Sequence, residues 1–305
     1  MAPTIASAAQ DGFTNASSYD QHRPSYPPEV VVELLKQLQV DGVTAARIAD
    51  LAAGTGKFTE LLAAREEDYE ILAIEPQADM RRELAKKDLK GVTVLEGDAV
   101  NMPVESQSID AVITAQDIFG TGFANDEALQ EIHRVLQPAG VFAMVWNIED
   151  YNSPKSWTPR TKWEAKMKDV TWSFDDQKTR FRDEIWRQVF DKQLESTPFT
   201  IQSAQPLFSL PLGEGSAETL KWMTRDAVWE RYRTLSHIAV LEGEELAKVK
   251  QQIFEAMDGD DVEENEKGEV ALHGHTVCHA NYLATQRQVA TPILCFSRRI
   301  AADLN

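Results

Sequence analysis

The residues best suited to chemistry lie in the run Asp50, Leu51, Ala52, Ala53, Gly54, Thr55, Gly56, Lys57, which follows the apolar Ile48 and Ala49. Glycines there let the backbone pass close to a ligand and leave N–H groups at the start of the next helix, an arrangement suited to a nucleotide-like ligand. Glu75 stands 19 residues after Gly56, at the end of the next apolar run. A carboxylate at that place can take both hydroxyls of a ribose. Asp98, between Gly97 and Ala99, ends a further apolar run and is placed to hydrogen-bond an adenine amino group. Polar groups delivered at successive strand ends, on the carboxyl edge of an open sheet, make an adenosine-shaped site.

Two cofactors compete for such a site. A dinucleotide loop wants G-x-G-x-x-G, and its last glycine position is Thr59 here, which suits a pyrophosphate poorly. Asp50 and Asp98 instead suit a ligand with a free ammonium and no phosphate, so S-adenosylmethionine fits better than NAD.

The elements that must position these residues read as an alternating βα series. Residues 47–52, 70–74, 92–95, 110–114 and 141–146 are short apolar runs without strict alternation, as expected of parallel strands buried on both faces. Pro27, Pro28 and Glu29 open a helix with Val31, Leu34, Leu35 and Leu38 on one side, and residues 58–65 give a second. A third spans 125–136, capped by Asn125 or Asp126, with Leu129, Ile132 and Leu136 as its inner stripe and Pro138, Ala139 and Gly140 at its end. Residues 1–18 lack hydrophobic periodicity and read as a disordered arm. Residues 19–150 read as the cofactor-binding core, 151–200 as a helical lid over the substrate, and 201–305 as the rest of the core, with two amphipathic helices over 217–257, an acidic loop over 258–269, a strand over 270–283 and a short one over 293–296.

Residues 50–56, 74–76, 96–99 and 135–140 look like the successive motifs of class I S-adenosylmethionine-dependent methyltransferases. Residues 19–27, 115–116, 123–125 and 145–147 resemble the small-molecule branch that includes trans-aconitate methyltransferase and the fungal gliotoxin-type S-methyltransferases of dithiol metabolites. The resemblance implies a Rossmann-like, mostly parallel seven-stranded α/β sheet with helices on both faces and a helical lid. It further implies that Tyr19 and Arg23 close over the methionine end, that Ala52, Gly54 and Gly56 form the backbone turn, and that Glu75 holds the ribose. Pro76 and Met80 would flank the adenine, Asp98 and Ala99 would bind its edge, and Ala115 and Gln116 would line the methionine moiety. Ala52 replaces the first glycine of the usual loop, a mild change if its φ is negative. Relatives in this branch commonly follow the Ala-Gln pair with a His-Trp pair that this chain lacks; its loop of residues 117–123 is longer by two.

Methyl transfer from a sulfonium needs alignment and exclusion of water, and a base only for a protonated acceptor. Asp117, next to Gln116, is the candidate base or substrate orienter; an aspartate there also caps a turn. Phe119, Trp146 and Trp157 are candidates for an aromatic acceptor pocket, although packing accounts for any one of them. His22 and His133 read as structural. His273, His275 and His279 share a strand face, where exposure or an anion contact is commoner than a metal, and no metal site is expected.

The expected activity is methyl transfer to a small molecule, a secondary-metabolite thiol or hydroxyl first and an aconitate-type carboxylate next, with S-adenosyl-L-homocysteine as product. A non-methylating S-adenosylmethionine-binding protein and an NAD-dependent oxidoreductase are the alternatives. Lys and Arg total 31 against 49 Asp and Glu, a formal charge of -18 that disfavours nucleic acid and anionic membranes as partners. Arg160, Lys162, Arg180 or Arg182 of the lid can still make a local basic pocket. Two cysteines, Cys278 and Cys295, and no apolar run of membrane length fit a cytoplasmic protein, monomeric or homodimeric.

Overall fold

A computed structural model of the chain describes residues 25–116, 125–174, 180–192, 206–283 and 297–299. Its frame is one mixed sheet in the order β3-β2-β1-β4-β5-β7-β6-β8. The strands are β1 (Arg47–Leu51), β2 (Glu70–Ile74), β3 (Val92–Leu95), β4 (Ile109–Ala115), β5 (Leu136–Glu149), β6 (Gly213–Met223), β7 (Val270–Tyr282) and β8 (Ser297–Arg299). Pairing is parallel from β3 through β5 and between β6 and β8, and antiparallel where β7 joins β5 and β6. The chain moves outward from β1 to β3 and then restarts at β4 on the other side of β1, so the switch in direction lies between β1 and β4. A crevice opens at such a switch beyond the carboxyl ends of the strands. The expected α/β fold is observed, with the short β8 added beyond β6; residues 293–296 lie outside the described residues.

The sheet is covered on both faces because its strands are apolar on both. Helix α1 (Pro28–Gln37) has its proline in the first turn and buries Val30, Val31, Leu34 and Leu35 against Ile48, Ile113, Val145 and Cys278. On the other face α4 (Asp126–Val135) sets Leu129 and Ile132 on Val112, Phe142 and Met144. Asn125 caps α4, its side-chain oxygen accepting from Ala128 N at 2.9 Å. Two shorter helices, α2 (Thr59–Ala63) and α3 (Ala78–Lys86), follow β1 and β2.

Three boundaries differ from expectation. Leu136 ends the helix by entering β5, where it pairs with Ile109 before a bulge shifts the register to Ala111 and Val141. At its other end β5 runs on to Glu149, because β7 continues to pair with it there. Residues 213–223 form a strand where a helix was expected from 217. Glu218, Leu220 and Lys221 are good helix formers, yet pairing along the whole of β7 overrides that weak preference.

The helical layer combines α5 (Lys162–Trp172), α7 (Arg225–Tyr232) and α8 (Gly243–Met257), which bury Trp163, Met167, Trp229, Tyr232 and Ile253 in one cluster together with Tyr151. Between them α6 (Gln188–Asp191) inserts Phe190 next to Phe142. Arg225 ties α7 to the acidic loop through Asp258 at 2.6 Å. No helix among the described residues is long and apolar enough to cross a membrane.

The β5–β7 seam depends on close backbone approach at Gly274, where a Cβ would stand 2.5 Å from the Ile148 carbonyl oxygen. Gly274→Ala is therefore expected to lower stability by roughly 1–3 kcal/mol, read as a lower midpoint in thermal or urea denaturation.

Candidate functional site

At the carboxyl end of β1 the chain turns through left-handed backbone at Ala52 (φ 56°), Gly54 (φ 58°) and Gly56 (φ 87°). The turn is tied down by its own amides: Ala53 N donates to Ile74 O at 3.1 Å, Gly54 N to Glu75 Oε2 at 2.9 Å, and Gly56 N to Ala53 O at 2.8 Å. These N–H groups point inward, so they do not form the outward-facing nest that a pyrophosphate requires. Ala52 was expected to be a mild replacement on the condition of a negative φ; that condition fails, and its Cβ carries the cost of left-handed backbone.

Around this turn stand three buried carboxylates, Asp50 (0% exposed), Glu75 (5%) and Asp98 (5%). Glu75 accepts from Gly54 N and, through Oε1, from Gln77 N at 2.8 Å. The turn after β2 is pinned by Arg81, whose Nη1 donates to Glu75 O at 2.9 Å and Pro76 O at 2.6 Å, while Met80 is buried one residue earlier. Asp98 Oδ1 accepts from Val100 N at 3.0 Å and Asn101 N at 2.9 Å, which closes a tight turn beside the buried Ala99. Asp50 Oδ2 accepts from Thr59 Oγ1 at 2.6 Å, and its buried Oδ1 has no partner among the described residues. Burial, opposed by the Thr59 bond and aided by the nearby Glu75 charge, pushes the Asp50 carboxyl up to about 7. Buried acceptors at the end of β1, β2 and β3 can take hydroxyl, amino and ammonium donors from a ligand, and the acidic surround favours a cation.

Beyond β4 the site is shaped by Ala115 and Gln116. Gln116 has φ 76°, and its carboxamide acts as an extra backbone unit: Oε1 accepts from Asn147 N and Nε2 donates to Asn147 O, both at 2.8 Å. Tyr26 OH reaches the same Oε1 at 3.4 Å, and Asn147 Oδ1 accepts from Thr276 Oγ1 at 2.6 Å. This clasp holds the ends of β4 and β5, the middle of β7 and the start of α1 together.

Tyr19, His22, Arg23, Asp117 and Phe119 lie outside the described residues. Trp146 is 3% exposed and packs on Phe181 and Trp186, with ring centroids 5.0 and 5.1 Å away. The half-buried Trp157 meets Phe181 at 6.0 Å and His275 at 5.1 Å. These tryptophans thus form one continuous aromatic layer beside the end of β5.

The three histidines of β7 go to different partners. His273 Nδ1 lies 3.0 Å from the buried Glu164, His275 Nε2 lies 3.8 Å from Asp150, and His279 is enclosed by Trp186 and Trp146, where burial and Arg187 push its imidazole down to about 3. His133 packs its ring on Phe208. The expected basic pocket of the lid is also dispersed: Arg160 pairs with Glu218 at 2.7 Å, Arg180 donates to Ser236, and Arg182 donates to Asn152. Lys162 offers its backbone N–H to Asp261.

Sequence reasoning missed Thr59, Arg81, Tyr26 and Asn147. Thr59 had a visible signal, since it fills the position where a dinucleotide loop wants glycine. The others owe their roles to contacts across 31 and 90 residues, or to one helical turn back onto strand-end carbonyls.

A family profile described as a methyltransferase domain matches residues 48–140. An uncharacterised methyltransferase of Schizosaccharomyces pombe is 36% identical over 141 residues, 46% of this chain and 54% of that protein. Another, from Mycobacterium bovis, is 37% identical over 133 residues, 44% of this chain and 50% of that protein. The chain thus spans about half the length of the curated relatives it matches. The crystal structure of the YcgJ protein from Bacillus subtilis shares the fold, with a TM-score of 0.50 and 14% identity over 83% of this chain and 99% of that one.

Two outcomes follow from the turn. A Cβ at Gly56 would collide with Leu84 on left-handed backbone, whereas Gly54 has open space and only the backbone cost. Gly56→Ala should therefore lower the melting midpoint distinctly more than Gly54→Ala, whose own cost is on the order of 1 kcal/mol. For Asp50 the folded carboxyl holds its proton above the unfolded value, so apo stability from this group is present below about pH 4 and is lost as pH rises towards about 7. Asp50→Asn removes that loss. The melting-point advantage of the variant over the natural protein should grow from pH 4.5 to pH 7.5; a constant difference would contradict it.

Proposed function

We propose that the whole chain, which carries a methyltransferase domain over residues 48–140, transfers a methyl group from S-adenosylmethionine to a small-molecule thiol or hydroxyl and releases S-adenosyl-L-homocysteine. S-adenosylmethionine is the cofactor that goes with a methyltransferase domain on this fold. The observation that supports the reading best is the union of an inward-bonded turn, which offers no pyrophosphate nest, with three buried carboxylates at the ends of β1, β2 and β3. Together they suit adenosine and an ammonium and speak against NAD.

In this reading Glu75 accepts from the ribose hydroxyls while Gly54 and Gln77 keep its carboxylate oriented. Pro76 and Met80 flank the adenine, and Asp98 and Ala99 bind its edge. Asp50, with its unmatched Oδ1, provides the negative charge facing the ammonium end of the methionine. Ala52, Gly54 and Gly56 bring the backbone close, Ala115 and Gln116 line the methionine moiety, and Tyr19 and Arg23 close over it. When bound, the cofactor supplies a methyl group already activated on a sulfonium. The chain's remaining tasks are alignment and exclusion of water, for which the Gln116–Asn147 clasp and the aromatic layer of Trp146 and Trp157 are suited. Asp117 is the proposed acceptor of the proton of a hydroxyl or thiol and Phe119 a proposed contributor to acceptor binding; both lie outside the described residues. The protein acts on a soluble acceptor in the cytoplasm, as a monomer or homodimer.

Calorimetry with S-adenosylhomocysteine and with NAD checks this. The first should bind stoichiometrically and the second not. Glu75→Ala and Asp98→Ala should each weaken S-adenosylhomocysteine by roughly tenfold or more, since each removes charge-assisted hydrogen bonds. Unchanged affinity in both variants would refute the site assignment.

A further inference from the structure

Strands β5, β7 and β6 rise past the edge at which β4 ends. Asn147 lies two residues beyond Val145, the partner of Ala115, and Glu149 two further still; β6 continues beside β7 through the pair Lys221 and Leu272 to Met223 and Val270. Asn147 and Glu149 alternate with Val145 and so project on the sheet face that packs α1. There Asn147, Glu149, Thr219, Lys221, Arg231 and Leu272 line a narrow cleft with a cavity of about 10 Å³. That is room for one water-sized group.

The charges in this cleft do not balance. Arg231 is committed to Glu149: its Nε donates to Oε1 at 2.8 Å and its Nη2 to the same oxygen, in a pair only 8% and 13% exposed. Burial pushes the Glu149 carboxyl up, but the charge and hydrogen bonds of Arg231 outweigh it and keep the group ionised below the usual range. Lys221 is half-buried beside them, and among the described residues no carboxylate lies within ion-pair distance of its Nζ. His273, which also lines the cleft, is turned to Glu164. Two cations therefore face one carboxylate, in a chain whose overall charge is -18. Burial and then the neighbouring Arg231, opposed in part by the Glu149 charge, push the Lys221 amine down to about 8. A half-desolvated cation beside another is unfavourable unless an anion completes the set.

We propose that this cleft is a subsite for a carboxylate of the methyl acceptor, one oxygen of which takes the water-sized space between Lys221 and the Arg231–Glu149 pair while the rest of the group stays at the mouth, beside the half-buried Thr219 and Lys221. The proposal rests on the methyltransferase reading above and adds the acceptor's class. The strand rise places the cleft's residues roughly 7–20 Å beyond the strand edge, from Asn147 to Lys221, and β7 and β6 lie three and four strands from β1. The carboxylate is therefore an orienting handle several bonds away from the methylated atom, and not itself the nucleophile. Asn147 joins the two regions, since its backbone is held by Gln116 and its side chain lines the cleft.

The test uses succinate and its neutral diamide, succinamide, as probes in calorimetry at fixed ionic strength, with the full chain saturated with S-adenosylhomocysteine. Succinate should bind saturably, succinamide should not, and Lys221→Met should weaken succinate by about tenfold, the loss of one charge-assisted contact. Lys221→Arg, which keeps the charge, should retain binding. The melting midpoint of Lys221→Met should equal or exceed that of the natural protein, because an uncompensated buried cation is removed. Equal succinate affinity with and without the lysine charge would overturn the proposal. So would a loss of S-adenosylhomocysteine affinity in Lys221→Met, which would assign the cations to the donor's own carboxylate. Failure of the natural protein to bind S-adenosylhomocysteine while still binding succinate would instead refute the methyltransferase reading and leave an anion cleft without that acceptor.

Discussion

The hydrogen bond from Gly54 N to the buried Glu75 carboxylate joins the end of β1 to the end of β2, and the arrangement of the site depends on it. A turn with left-handed backbone at Ala52, Gly54 and Gly56 is not one that the chain adopts without compensation. The compensation is local: each of three amides finds an acceptor within the turn or at the neighbouring strand end. The same bonds keep the Glu75 carboxylate oriented while it is 5% exposed. Loop shape and carboxylate placement are thus one constraint, which turns the amides of Ala53, Gly54 and Gly56 away from a phosphate while preparing an acceptor of hydroxyl groups.

Electrostatics divides the carboxyl edge of the sheet into two regions. Over β1, β2 and β3 stand Asp50, Glu75 and Asp98, a cluster that favours cationic and donor-rich ligands, with Asp50 raised to about 7 because it is buried near Glu75. Over β5, β7 and β6 the balance reverses, with Lys221 and Arg231 against Glu149. Between them lies the Gln116 clasp, which makes no net charge and holds β4, β5 and β7 in register. A cationic donor on one side and an anionic handle on the other would meet over that clasp, with the acceptor's nucleophile between. The net charge of -18 describes neither region, so it carries no argument against a small anionic acceptor.

Much of this frame was legible in the sequence. Five buried strands, the capped helix at Asn125 and the carboxylates at strand ends follow from apolar runs, a capping residue and spacing, all of which are local signals. What was not legible depends on contacts distant in sequence. Residues 217–223 have helical composition, and only pairing with β7 makes them a strand. The mild effect assigned to Ala52 assumed a backbone angle that composition does not reveal. Arg160, Arg180 and Arg182 were reasonable candidates for a basic pocket, but each is engaged by a partner that the sequence does not place beside it. The cationic excess appears at Lys221 and Arg231, which face one another only because a strand and a later helix converge.

In the proposed reading the carboxylate-lined turn presents a methyl donor to a small-molecule acceptor. Incubating the full chain with a metabolite extract and S-adenosylmethionine labelled in its methyl group, followed by mass spectrometry of the small-molecule fraction, tests it most directly. The account predicts a labelled product heavier than its precursor by one methyl group, absent with Glu75→Ala, and enriched from acceptors that carry a carboxylate. Stoichiometric binding of the donor with no labelled product, or a product of unchanged mass, would contradict it.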